Sequence, residues 1–67
     1  MKVWMEVERG LGATVETRAV QGTEEECEEF ILQMANTYGT VHVLDERGKR
    51  VRTITPGEAA ERLRRDS

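Results

Sequence analysis

The only cysteine of the chain, Cys27, stands among five glutamates (Glu24, Glu25, Glu26, Glu28 and Glu29), and the only histidine, His42, follows fifteen residues later. These are the side chains with the most chemical potential. The thiolate is the reactive form of cysteine, and neighbouring carboxylates disfavour it, so Cys27 reads as a small buried apolar group rather than a nucleophile. A metal centre needs three or four Cys, His or carboxylate ligands at suitable spacing; one Cys and one His on different elements do not provide them. The glutamate run also lacks the alternating oxygens and the turn glycine of a calcium loop. No Ser, Cys or carboxylate is placed beside His42 by sequence, which leaves it without the partners of a general base. The stretch RGLGA has the glycines of a phosphate loop, but it joins two strands instead of leading into a helix. No acid, base and nucleophile set can be assembled. The chain therefore reads as non-enzymatic, with no cofactor and no metal.

Charge is more informative than these single residues. The formal net charge is −3, yet residues 1–47 carry four basic and ten acidic side chains, and residues 48–67 carry six basic and three acidic ones. Such a division allows internal pairing, stacking between copies, or two partner surfaces. Arg47, Lys49, Arg50 and Arg52, with Arg62, Arg64 and Arg65, make the case for a nucleic-acid-binding regulator, because phosphate contacts supply most non-specific affinity. The acidic balance of the whole chain and the lack of stacking aromatics beside these bases count against it. Glu25, Glu28 and Glu29 around Leu32 suggest another alternative, an inhibitor that offers an acidic helix face to a basic site on a larger protein.

The elements that position these groups follow from periodicity. Residues 2–9 alternate, with Val3, Met5 and Val7 on one side and Trp4, Glu6 and Glu8 on the other. Gly10 to Gly12 allow a reversal, after which Ala13, Val15, Thr17 and Ala19 are expected to face inward. Thr23 with Glu26 matches a capping box, and Cys27, Phe30, Ile31, Met34 and Tyr38 form an apolar helical stripe that ends at Gly39, read as the left-handed residue after the helix. Glutamates in a first helical turn are favoured by the dipole, so their crowding needs no ligand. A second hairpin comes next, with Val41, Val43, Val51 and Thr53 inward and a turn from Asp45 to Gly48. Thr55, Pro56 and Glu58 then open a closing helix with Ala59, Ala60 and Leu63 on its apolar side. The expected fold is α+β, ββαββα: a single domain over 1–67 with a four-stranded, mainly antiparallel sheet and two helices packed on one face.

Sixty-seven residues bury only about 60% of the surface the unfolded chain exposes, so association would help such a small core. The outward sheet face is expected to hold Trp4, Val20, His42, Leu44 and Ile54 with Arg18, Arg50 and Arg52. Fully solvated sheet faces rarely carry so many apolar groups, and Trp and Arg are residues that anchor interfaces. The sequence thus favours a protein-interaction module that is homodimeric through this face or binds a protein partner there. No apolar run approaches the roughly 20 residues of a bilayer span, the start MKVWMEVERG alternates unlike a signal peptide, and a lone cysteine suits a reducing compartment. Cytoplasmic location and no membrane partner are the matching expectations.

Overall fold

A computed structural model describes residues 1–9 and 14–65. The Gly10 to Gly12 reversal and the inward facing of Ala13 expected from sequence lie outside the described residues. The elements run β1 (Lys2–Arg9), β2 (Thr14–Gln21), α1 (Glu24–Thr37), β3 (Val41–Leu44), β4 (Arg50–Ile54) and α2 (Pro56–Arg65), which is the ββαββα order of an α+β domain. The sheet order is β2-β1-β3-β4, with antiparallel pairing throughout. Because β2 and β3 both oppose β1, they are parallel to each other, and α1 carries the chain over β1 between them. Both helices lie on one face, so the molecule is only two layers thick, 33 × 30 × 15 Å. No helix among the described residues is long and apolar enough to cross a membrane.

Local chemistry sets the element ends. At the start of α1 the Glu26 N–H donates to Thr23 Oγ1 at 3.1 Å, and the Thr23 N–H donates to Glu26 Oε1 at 2.9 Å, completing the capping box. That backbone donor holds the Glu26 carboxyl below its ordinary range. Pro56 opens α2, where its missing N–H has no helical partner to lose, and the Glu58 N–H donates to Thr55 Oγ1 at 3.2 Å. Asp45 builds the β3–β4 turn by accepting from the Arg47 and Lys49 N–H groups at 2.9 and 2.8 Å, with Gly48 at φ +83°. Gly39 has the positive φ expected of the residue after the helix, although at a value wide of the left-handed helical well. Tyr38 ends α1 in a right-handed conformation, and Gly39 follows at φ +153°, where a Cβ would collide with the Glu8 carbonyl oxygen. Glycine is required there by the close approach of the α1–β3 link to β1, sealed by the Glu8 N–H donating to Thr40 O at 2.9 Å.

The core lies between the sheet and both helices: Met5, Val7, Val41 and Ile54 from the strands, Ile31, Leu32, Met34 and Ala35 from α1, and Ala59 from α2. Cys27 is also buried, as its place on the helical stripe predicts. Two expectations fail on α1. Leu32, read as exposed on an acidic face, is buried, while Phe30 and Tyr38 are exposed. The cause is α2: it packs along α1, so α1 buries a broad arc that faces the sheet on one side and α2 on the other, and the stripe is rotated towards Leu32 and Ala35.

Two strands also differ in facing. Directly opposed residues share a face. In β2, Val20 opposes Val3 and Arg18 opposes Met5, which puts Val20 and Arg18 on the helix side and Val15, Thr17 and Ala19 on the open side. In β4, Ile54 opposes Val41 and Arg52 opposes Val43, so both sit on the helix side, Ile54 being fully buried. The register shifts between Val43 and Leu44, where Arg50 opposes Leu44 and Val51 is left as the extra residue, 61% exposed. This β-bulge breaks the strict alternation from which Arg50, Arg52 and Ile54 were expected on one face, with Val51 and Thr53 inward.

Candidate functional site: the open sheet face

The face left bare by the helices is built around β1. Trp4, 45% exposed, lies between Ala19 of β2 and Leu44 of β3, its directly opposed neighbours. Lys2, two residues before it on the same side, places its ammonium 4.9 Å from the indole centroid, a cation–π contact. Of the residues expected to form an outward surface, the sheet brings together Trp4, His42, Leu44 and Arg50. Arg18, Val20, Arg52 and Ile54 are on the other side.

The charges around Trp4 are satisfied within the face. Arg50 Nε donates to Glu6 Oε1 at 2.9 Å. His42 Nε2 is 3.0 Å from Glu8 Oε2, and its Nδ1 is 2.9 Å from Thr53 Oγ1. A neutral imidazole protonated at Nε2 would donate to the carboxylate and accept from the threonine hydroxyl; an imidazolium would donate to both. Glu8 and Thr53 were not visible as partners of His42 from sequence, because only the strand order β1-β3-β4 and the bulge bring them to one line. The pattern has the hydroxyl–imidazole–carboxylate sequence of a nucleophile relay. However, Thr53 stands on a flat strand face, and neither groove flanking α1 reaches it. The contacts run across three strands as a polar ladder, Thr53 of β4 to His42 of β3 to Glu8 of β1.

The helix side carries a different cluster. Arg52 donates through Nη1 and Nη2 to both oxygens of Glu28 at 2.6 Å, and Arg62 of α2 adds a contact at 3.3 Å. The bidentate Arg52 hydrogen bond holds the Glu28 carboxyl below its ordinary range, and Glu28 in turn raises the Arg52 guanidinium. One carboxylate thus ties β4, α1 and α2 together. Glu25, Glu28, Glu29 and Leu32 line one groove together with Arg52 and Arg62, so the acidic face read from sequence is of mixed charge, with Glu28 engaged by Arg52 and Leu32 buried. The basic arm is divided as well: Arg50 is on the open face with Glu6, Arg52 and Arg62 meet Glu28 on the helix side, and Arg65 pairs with Glu61 at 2.7 Å. Among the described residues no group of three or more His, Cys, Asp or Glu could hold a metal ion. No family pattern, curated protein or solved structure matches the chain.

Proposed function

We propose that this domain is a non-enzymatic protein-interaction module that associates with a second copy of itself through the open sheet face. The supporting observation is a half-exposed tryptophan at the centre of a sheet face that no helix covers. Burying a large side chain contributes roughly 1.5–3 kcal/mol, a substantial gain for a core this small. Glu6 with Arg50 and Glu8 with His42 enter the contact already hydrogen-bonded, which lessens the desolvation cost of covering them. The face also carries both signs, Lys2 and Arg50 beside Glu6 and Glu8, which suits a two-fold partner identical to itself.

Sedimentation of the Trp4→Glu variant tests this. Its mass in solution should be half that of the wild type, with unchanged circular dichroism, and the wild-type tryptophan emission should shift to the blue as concentration rises. A variant with wild-type mass, or emission independent of concentration, would remove the open face as the contact.

A further inference from the structure

The two edges of the sheet are unlike. β4 is five residues long and interrupted by the bulge at Val51, and β1 and β3 are interior. β2 is eight residues long, pairs with β1 in unbroken register from Lys2–Gln21 to Arg9–Thr14, and presents its other edge to solvent. Such an edge is a template for another strand unless something limits what can pair with it.

We infer that β2 joins antiparallel to β2 of a second copy about a two-fold axis at Thr17, extending the sheet from four strands to eight. The sequence around Thr17 reads Val15-Glu16-Thr17-Arg18-Ala19. A two-fold axis perpendicular to the sheet keeps each residue on its own face, so only residues of like parity can oppose each other. With the axis at Thr17, Glu16 of each copy opposes Arg18 of the other on the helix side, and Val15 opposes Ala19 on the open side. Both charged pairs are complementary. Moving the axis one residue towards the amino end places Glu16 against Glu16, and one residue towards the carboxyl end places Arg18 against Arg18. Glu16 and Arg18 already lie together, Arg18 Nε donating to Glu16 Oε1 at 3.2 Å, with Arg9 Nη2 3.1 Å from Glu16 Oε2. Both are more than a third exposed and therefore accessible to an incoming strand. The edge thus admits one register with attraction and its neighbours with repulsion, as expected of a specific partner strand rather than of adventitious pairing.

This contact is separate from the Trp4 surface, which it leaves uncovered, and it keeps all helices on one side of the joined sheet. The test uses the full chain and two charge reversals. Glu16→Arg alone makes every facing pair Arg–Arg, and Arg18→Glu alone makes every pair Glu–Glu; each should raise the dissociation constant of this contact about tenfold or more and halve the wild-type mass in sedimentation. An equimolar mixture of the two variants should recover the wild-type mass. In the mixed pair the arginine introduced in one chain meets the glutamate introduced in the other, and the native Arg18 of the first meets the native Glu16 of the second. Recovery on mixing cannot come from misfolded chains. Single variants with wild-type mass, or a mixture that stays at the mass of its components, overturn the inference. Trp4→Glu responds only to the open-face contact, so either contact can fail while the other stands.

Discussion

Glu28 shows how one side chain can do the work of a small core. Its two oxygens receive Arg52 from the sheet and Arg62 from α2, linking three elements that otherwise share only a modest apolar surface. All three side chains are about a third or more exposed, so solvent screening reduces the gain, and Glu28→Gln should cost only about 1 kcal/mol at neutral pH. The pH dependence has a definite sign. The carboxyl is held below 4.5 in the folded state, so its contribution is complete above that value and is lost as pH falls through the lowered folded value. Urea denaturation of both chains should give a stability gap that is constant from pH 7 to about 5 and closes on further acidification. A gap that persists unchanged into strong acid would mean that packing, not charge, connects these elements.

At the scale of elements, helix starts were legible because a threonine cap is local chemistry: Thr23 accepts from the Glu26 N–H and Thr55 from the Glu58 N–H, with the reciprocal bond of a full capping box found at Thr23–Glu26. Facing was less legible. Periodicity finds one apolar direction, whereas α1 has two neighbours, so the stripe that included Phe30 and Tyr38 missed Leu32 and Ala35. Leu32→Ala should therefore destabilise by about 2–4 kcal/mol, while Phe30→Ala, at the solvent edge, should cost about 1 kcal/mol or less in thermal or urea denaturation. Comparable losses would place Phe30 in the core and return the helix to its sequence-read phase. In β4 the obstacle was the bulge, since one extra residue reverses every side chain beyond it, and nothing in RVRTI announces it. In β2 weak patterning was at fault: Val15, Thr17 and Ala19 outweigh Val20 by count, yet Val20 packs against the core. Of the surface expected from sequence, Trp4, His42, Leu44 and Arg50 consequently share one face, and their internal partners Glu6, Glu8 and Thr53 came only with the strand order.

For the whole molecule, the uneven charge along the sequence resolves largely into internal pairing. Arg50 reaches back to Glu6, and Arg52 and Arg62 reach back to Glu28, so the basic last part closes onto the acidic first part. The same closure is made in the backbone by a single seam. β1–β2 and β3–β4 are hairpins between neighbours in sequence, but β1 joins β3 with Met5 opposite Val43, thirty-eight positions apart. Each hairpin can form by local search, whereas the seam requires the chain to close a long loop before any of its contacts are gained. The folding barrier should therefore be the meeting of the two halves. Val41→Ala, at the seam, should slow folding in stopped-flow measurements by most of its equilibrium effect, and Ala59→Gly in α2 should act mainly by accelerating unfolding. Should Val41→Ala change only the unfolding rate, the halves dock after the barrier and not at it. A chain cut within the α1–β3 link would meet the same constraint as two molecules: residues 1–39 and 40–67 should be unstructured apart and fold only on mixing, at a rate that rises with their concentration.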